Sequence, residues 1–540
     1  MGNNDIFTPY TRSFKKITGG ITASWIRFVI SIGVAIFQLP ILYANFDKSV
    51  IGYYLLFSTL SIFLSISDLG LGSVIGRTVS YNWGANSNHT QDQWNDKPNQ
   101  LGSYATAPIS ELFSSCLFAY SIASLLVVAT GSIAGHLFFS PDPNIISHSE
   151  LTNAWIIFLI ASGISLVNTV PLACISGVGD VGWENLIRTI VQVGRLISIL
   201  VLAPMTHSIL ALAVAELVLN LGSVVISLLI LKFRQPTFLQ LSLRFNINLL
   251  TAMFRDAFPV FITRLGALLI LQSSPLIVGY SMGTKFIPDF MALRQLAYLG
   301  IAIPSAIPSV VSPFVSAAFS AGELEKIRKY HSLTLKTTLA TAVLWFIGFT
   351  AWGPALMDLW LGKGHFLGPA VAIPLAIMAL LETHHTAHSS FAWSVGRWPF
   401  APWGIASGVL TLILALTGGH WFGYVGIALG GMIAQLVTNN WFAVVYTLRV
   451  LEISLLDYCK RIGLPILLYG TIIAIIATTS THLLEKILTL DWVFRGLQGN
   501  SLIALVFGAI LTSLAGITLT WIYLLRSSER DSILVRFSKT

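Results

Sequence analysis

Two arginines inside long apolar segments are the residues of this sequence with the clearest potential for chemistry. Arg27 lies in the segment 20–43 and Arg264 in the segment 257–280, at the same depth from the start of each. Arginine stays ionised when desolvated, and placing it in a membrane-spanning helix costs roughly 2.5–3.5 kcal/mol on insertion scales. Such a guanidinium normally faces a partner or a wet cavity, and its planar fork suits phosphate. The pair predicts an anion-binding site, while snorkelling to the interface is the alternative for either arginine alone.

The same two segments share a second pattern. Gln38 precedes Pro40 in the first segment, and Gln272 precedes Pro275 in the second. The common order of arginine, glutamine and proline indicates two related halves, each offering one arginine to an anion. We expect both glutamines to take part in substrate binding beside the arginines.

Two more arginines lie within predicted spans. Arg294 follows Asp289 by one and a half helical turns, so it is either a local ion-pair partner and outer-end anchor or part of a cavity lining. Arg195 is either a cavity ligand or the partner of a buried carboxylate. Glu216 is the candidate carboxylate, because it lies on the next helix, which runs antiparallel.

A carboxylate interrupts the second apolar segment. Asp68 stands just before Gly70 and Gly72. The sequence predicts that Asp68 caps or hydrogen-bonds at a break in this span, or that it forms a salt bridge with Arg27 or Arg77. We also keep Asp68, together with Glu216, as a candidate in coupling, whereas direct substrate contact by Asp68 is disfavoured because a carboxylate repels phosphate.

A titratable cluster ends the tenth predicted span. Glu382 and His385 share a helical face, as do His384 and His388. The second pair has a spacing that can ligate metal, but no HExxH motif accompanies it, and the sequence predicts neither a metal nor a cofactor. The cluster is therefore the wall of a wet cavity near the cytoplasmic end, or a proton-coupling site through Glu382 and His385, because histidine titrates near neutral pH.

The elements that must position these residues are membrane helices. The chain has 540 residues, of which 55% are hydrophobic and 10% charged, against roughly 25% charged in soluble proteins. Fourteen apolar stretches of spanning length can be placed, and the boundary between the eleventh and twelfth rests only on the break 417–420. With the N-terminus in the cytoplasm, most loop Lys and Arg residues fall inside, which predicts two cytoplasmic termini. The net charge of +8 reflects this orientation and does not indicate nucleic-acid binding.

The repeat and the span count predict an all-α polytopic fold. Residues 1–233 form one six-helix lobe and residues 234–450 a second, related by a parallel repeat around a central cavity. Residues 451–540 add two C-terminal spans and a cytoplasmic tail. No long extracytoplasmic loop is present, so we expect the function to use a site within the bilayer.

The second span and its flank resemble a known family. The stretch reads SISDLGLGSVIGRTVSY and follows a first helix that carries an intramembrane arginine. This resembles the Wzx-like polysaccharide flippases of the multidrug/oligosaccharidyl-lipid/polysaccharide (MOP) exporter superfamily. The resemblance implies movement of a polyprenyl-pyrophosphate-linked glycan from the cytoplasmic to the outer leaflet of the bacterial inner membrane by alternating access. It further implies a cationic cavity, onto which Arg27 and Arg264 map.

Membrane lipids are the other implied partners, and the sequence leaves open whether glycan-synthesis machinery binds the polar loop 80–108. The chain departs from the lipid II group, because the arginine-rich first-helix pattern of that group is absent. Two alternatives remain. A drug or cation antiporter of the same fold would need intramembrane carboxylates where this chain has arginines. A membrane-embedded glycosyltransferase or polymerase would need catalytic carboxylates on an outer loop, and the first such loop offers only Asp47.

Overall fold

The computed structural model describes residues 8–87, 108–139, 142–240, 245–394, 399–488, 500–525, 527, 529 and 530. Across this part of the chain the regular structure is helical, and no strand occurs, which confirms the predicted all-α membrane fold. Most of the predicted polar loop and of the C-terminal tail lie outside the described residues.

The chain divides into two compact units, Met1–Arg264 and Leu265–Thr540. The boundary lies within one helix, and the three-part division at 233 and 450 stays a prediction. The helices that begin in the first unit are α1 (Thr8–Asn45), α2 (Lys48–Leu64), α3 (Leu71–Ser87), α4 (Ile109–Phe138), α5 (His148–Val167), α6 (Thr169–Gly177), α7 (Val181–Thr206), α8 (Ile209–Arg234) and α9 (Ile247–Gln272).

The described ranges of the second unit also contain helices and no strand. They are α10 (Ser274–Ser281), α11 (Ile287–Ser320), α12 (Leu324–Leu361), α13 (Pro369–Ser394), α14 (Ala401–Val437), α15 (Asn439–Val450), α16 (Leu455–Tyr458), α17 (Leu464–Leu488) and α18 (Asn500–Leu519).

Within the described residues, 12 helical segments are long and apolar enough to span a membrane, or 13 if α9 and α10, bent by 48°, form one span. One of the 12 is the 50-residue segment Ala401–Val450. Its backbone is non-helical at Gly423, with φ 57° and ψ −134°. Counting the two sides of Gly423 as separate spans reconciles the structure with the predicted fourteen.

The turn at Gly423 folds α14 back on itself. A Cβ atom on Gly426 would overlap the carbonyl oxygen of Gly418, and one on Gly430 would lie 2.6 Å from the amide nitrogen of Ala415. Such contacts are impossible in a straight helix of this length, because 15 residues span roughly 22 Å. The predicted break at 417–420 is thus corrected to Gly423, and 417–420 forms part of the close backbone contact.

The second predicted span is interrupted, as its glycines suggested. Helix α2 ends at Leu64, a short 3-10 turn covers Ser65–Asp68, and α3 starts at Leu71. Leu69 (φ 50°) and Gly70 (φ 77°) adopt left-handed backbone conformations between them. The direction of the chain therefore changes at this break.

The core of the first unit forms where α3, α4, α6 and α9 meet. Its buried members include Ile75, Phe113, Ile175 and Met253. Helices α3 and α6 approach closely because a Cβ on Gly177 would lie 2.7 Å from the carbonyl oxygen of Gly76. This close packing brings the polar face of α3 against backbone and small side chains of α6.

We predict that Gly426→Ala destabilises the second unit, since the new methyl group overlaps the Gly418 carbonyl. Overpacking of this kind costs about 1–3 kcal/mol, or more where only backbone can yield. The thermal midpoint of the detergent-solubilised protein, read by fluorescence-detected size exclusion, measures the effect. Gly404→Ala in the same helix is the matched control, because nothing lies within 4 Å of its added Cβ. Equal midpoints for the two variants would contradict the backfolded arrangement.

Candidate functional site

A polar cavity of about 420 Å³ lies within the first unit. Its walls come from the Asp68 turn and from helices α3, α6, α7 and α9. The charged lining residues are three arginines and two carboxylates: Arg77, Arg188, Arg264, Asp68 and Glu184. Hydroxyl groups and glycines complete the wall: Ser73, Ser80, Thr169, Ser176, Gly72, Gly76 and Gly177.

One face of α3 supplies much of this wall. Gly72, Ser73, Gly76, Arg77 and Ser80 recur at the spacing of a single helical face. The Ser80 hydroxyl donates to the carbonyl oxygen of Gly177 at 2.8 Å, which ties α3 to α6. The absence of side chains at the glycines leaves backbone close to the cavity, a surface suited to a polar ligand.

The α2–α3 break positions Arg264. A Cβ on Gly70 would lie 2.8 Å from the Ala257 carbonyl oxygen and 3.2 Å from the Phe261 amide, so the backbone of α9 packs directly on the break. Ala257, Phe261 and Arg264 share one face of α9. The same contact therefore carries Arg264 to the start of α3.

Asp68 is held by three donors at the break. Its Oδ1 accepts from the Gly72 amide at 2.8 Å and, through a short hydrogen bond, from the Tyr120 hydroxyl. Its Oδ2 accepts from Nη1 of Arg264 at 3.2 Å. The predicted hydrogen bond at a helix break is therefore present, but the ion-pair partner is Arg264 and not Arg27 or Arg77.

The position of each alternative partner explains this correction. Arg77 lies more than two turns further along α3, where its guanidinium is 3.8 Å from Asp256. Arg27 lies on α1, which packs along α7. Nη1 of Arg27 donates to the Asn185 side chain at 3.1 Å.

Arg27 approaches the cavity without lining it. Its charge is close enough to interact with those of Arg188 and Glu184, and these two residues form an ion pair at 3.0 Å on the cavity wall. The arginines beside Arg264 in the cavity are thus Arg77 and Arg188. The sequence pointed to Arg77 only as a possible partner of Asp68 and did not single out Arg188, which lies on α7.

Other residues proposed for substrate binding have local contacts. Arg195 forms a two-pronged pair with Glu216, at 2.7 Å and 2.5 Å, so the carboxylate partner considered for it is the one observed. Gln38 is partly exposed on α1, about three turns beyond Arg27.

Arg294 lies in the second unit and is 5% exposed. It donates to the Leu271 carbonyl oxygen at 2.8 Å and to Gln272 and Ser274 at 3.2 Å each. Its guanidinium stacks on the Tyr298 ring at 4.7 Å. Arg294 and Gln272 therefore meet at the α9–α10 bend, where the helix end frees a carbonyl oxygen.

The local ion pair expected with Asp289 is replaced by these contacts. Asp289 instead accepts a hydrogen bond from His365, with 2.7 Å between Oδ1 and Nδ1. The bend itself accounts for the difference, because the freed backbone carbonyl lies nearer to Arg294 than a side chain on an adjacent turn.

In the titratable cluster of α13, Glu382, His384 and His385 are half-buried and His388 is buried, and whether the cluster lines a wet cavity stays a prediction. His384 contacts Asn440 at 2.9 Å and the Tyr458 hydroxyl at 2.6 Å. His388 is fully buried beside His331, with ring centroids 5.2 Å apart. In the described ranges no group of three or more His, Cys, Asp or Glu is arranged to hold a metal.

Glu382 and His385 have separate hydrogen-bond partners. Glu382 accepts a short hydrogen bond from Gln435 and a long one of 3.5 Å from Thr386. Nε2 of His385 lies 3.4 Å from Nδ2 of Asn439. The charge of Glu382 is near enough to interact with His385.

Comparisons of sequence agree with this architecture. Residues 104–365 match the family model described as "Polysaccharide biosynthesis protein". The chain is also 22% identical over 557 aligned positions to the uncharacterized membrane protein EpsK of Bacillus subtilis (strain 168), with 97% of this chain and 99% of the relative covered.

Solved structures show the same fold. The lipid II flippase MurJ in an inward closed conformation aligns with a TM-score of 0.61 and 15% identity, over 94% of this chain and 99% of MurJ. An inward-facing MATE multidrug resistance transporter of the MOP superfamily aligns with 0.59 and 15%, over 79% and 95%. The protein is therefore a multi-span membrane protein with the fold of a MOP-type transporter. The predicted resemblance to the MOP exporter superfamily is confirmed in the fold, and the matched family model adds a similarity in sequence to polysaccharide biosynthesis proteins.

We predict that Glu216→Gln lowers stability, because it leaves the Arg195 charge in an apolar bundle without its carboxylate. The cost is of the order of 2.5–3.5 kcal/mol, the insertion cost of such a charge. The double variant Arg195→Leu, Glu216→Leu should recover most of the loss, since it removes both charges. Thermal unfolding in one detergent compares the three proteins. Glu323→Gln, which breaks the exposed pair with Lys326, is the control and should change stability by only ~0–1 kcal/mol.

Proposed function

We propose that the protein is a flippase that moves a polyprenyl-pyrophosphate-linked oligosaccharide from the cytoplasmic to the outer leaflet by alternating access. Its location is then the bacterial inner membrane, with both termini in the cytoplasm. The observation that carries the proposal is the cavity of the first unit, where three arginines and several hydroxyls gather within an apolar helical unit. The family description and the cargo named for MurJ, lipid II, support a lipid-linked glycan as cargo.

The chemistry of the cavity suits a diphosphate that carries sugar. Guanidinium forks bind phosphate oxygens through paired, charge-assisted hydrogen bonds. Hydroxyls and exposed backbone groups on α3 and α6 can exchange hydrogen bonds with sugar hydroxyls. The cavity volume of about 420 Å³ falls within the range of small-ligand pockets, roughly 300–1,000 Å³.

Within the proposal, Arg264 contacts the headgroup directly, with Arg77 and Arg188 beside it. Arg27 remains the candidate for a second arginine that holds the headgroup together with Arg264. The reason is that its charge interacts with the Arg188–Glu184 pair on the cavity wall. Arg195 and Arg294 are assigned supporting roles, since protein acceptors take up their guanidinium groups.

We predict that Arg264→Ala and Arg27→Ala each reduce glycan export more than tenfold while membrane insertion stays intact. Arg264→Lys should rescue export only in part, because an ammonium group loses the two-pronged contact. Surface glycan per molecule of membrane-inserted protein is the measurement. Arg461→Ala, which alters an exposed arginine of the second unit, is the control. Normal export by both alanine variants would refute the arginine site.

A deletion strain distinguishes the proposal from its alternatives. Completed lipid-linked units should accumulate in the cytoplasmic leaflet if the protein is a flippase. Truncated glycans alone would indicate a glycosyltransferase or polymerase. An unchanged glycan profile together with new sensitivity to cationic drugs would indicate an antiporter of the same fold.

As a second proposal, Glu382 and His385 couple transport to the proton gradient. Both are half-buried titratable groups on α13, and their charges interact. We predict that the double variant Glu382→Gln, His385→Ala loses proton-driven transport in vesicles while headgroup binding is retained. Arg461→Ala again serves as control, and unchanged gradient-driven transport by the double variant would exclude the coupling role.

A further inference from the structure

The two oxygens of Asp68 have different partners, and this difference extends the proposed function. Oδ1 accepts from the Gly72 amide and the Tyr120 hydroxyl, both fixed parts of the helix break. Oδ2 accepts from Arg264 at 3.2 Å. The Asp68 side chain is 10% exposed, whereas the Arg264 side chain is 54% exposed. Arg264 can therefore turn toward the cavity while Asp68 stays in place.

Asp68 thus already accepts from Nη1 of Arg264 and offsets the charge that an anionic ligand would meet there. A phosphate that takes both Nη groups of this guanidinium must displace the carboxylate from Nη1. The cavity lining holds three arginines against two carboxylates, which leaves one excess positive charge. A singly charged anion that replaces Asp68 on Arg264 carries the same charge as the carboxylate that it displaces. The net gain in electrostatic free energy is therefore small.

A diphosphate carries more than one negative charge, so its electrostatic balance with the cavity is different. One of its phosphates can replace the carboxylate on Arg264 while its second charge faces Arg77, whose pair with Asp256 is long at 3.8 Å and exposed. The second contact supplies the attraction that a singly charged anion lacks. Anionic lipids with one phosphodiester are a normal part of membranes, so an unshielded Arg264 would capture them.

We propose that Asp68 is a specificity-determining residue, an internal competitor that keeps singly charged lipid phosphates off Arg264 and yields to diphosphates. The inference depends on the proposed anion site and goes beyond it by assigning selectivity to one carboxylate. Tyr120 and Gly72 are positioning groups in this scheme, because they hold Asp68 at the break when Arg264 leaves.

Binding to the full-length protein in phosphatidylcholine nanodiscs tests the proposal. The probes are farnesyl diphosphate and dihexanoyl-phosphatidylglycerol, a singly charged phosphodiester, and the readout is the ratio of their Kd values. Asp68→Asn should strengthen phosphatidylglycerol binding at least tenfold and lower the preference for the diphosphate. Asn keeps the oxygen that faces Gly72 and Tyr120 but loses the charge.

Arg264→Gln provides a second test that does not depend on the folding of the Asp68 variant. It should weaken farnesyl diphosphate binding at least tenfold and leave phosphatidylglycerol binding unchanged, since that lipid does not reach a shielded Arg264. Asp180→Asn is the matched control. Asp180 is 6% exposed and pairs with Arg234 at 2.9 Å outside the cavity lining. Its substitution should therefore leave the Kd values of both probes unchanged.

The possible results distinguish a failure of the selectivity role of Asp68 from a failure of the proposed anion site. If wild-type protein prefers the diphosphate but Asp68→Asn keeps the same ratio, the selectivity role of Asp68 is overturned and the anion site stands. Equal weakening of both probes by Arg264→Gln also overturns it. If wild-type protein binds neither probe, or Arg264→Gln binds both as wild type does, the proposed anion site itself is wrong.

Discussion

A charged group in an apolar helical bundle must find a partner, and this constraint shapes the polar contacts of both units. An isolated guanidinium or carboxylate at such depth has no water to replace its lost hydration. Arg195 meets Glu216 on the neighbouring helix. Lys336, only 3% exposed, pairs with Glu529 at 2.9 Å. Arg294 is accommodated differently, by a carbonyl oxygen and two side chains where α9 ends.

The pair of Asp68 and Arg264 follows the same rule but lies at a cavity, which gives it a different potential. A pair enclosed by packing has no competitor for either charge. At a cavity wall the exposed guanidinium can exchange its partner, whereas the anchored carboxylate cannot. The pair stabilises the helix break, and in the proposed function the same guanidinium becomes a binding group when it turns to the ligand.

Glycine and broken helices create the geometry in which this pair forms. At Gly70 the left-handed backbone lets α9 pack directly on the break, and a side chain there would overlap the Ala257 carbonyl. At Gly423 the chain reverses within one long apolar stretch, so that backbone meets backbone at Gly418 and Gly426. Both features place irregular backbone inside the protein, where neighbouring groups satisfy its polar atoms. The fold itself serves transporters of different cargo, so a glycan cargo is proposed from the cavity and from the polysaccharide family match.

The sequence by itself determined the class of protein, because the length and frequency of apolar stretches admit only a polytopic helical fold. It also located the break at Asp68 from its two glycines, and it named Glu216 as a partner for Arg195, since adjacent antiparallel helices bring such residues together. These are local or nearest-neighbour properties, which spacing along the chain can express.

Only the tertiary structure decided which arginine meets Asp68 and which arginines line the cavity. Asp68 and Arg264 are 196 positions apart, and no local pattern encodes the packing of α9 on the break. Arg77 and Arg188 look like ordinary helix-end charges until α3, α6 and α7 are assembled around one space. The burial of His388 on α13 likewise depends on the helices packed against it. Contacts between distant segments follow from side-chain packing in three dimensions, and the periodicity of one segment does not contain them.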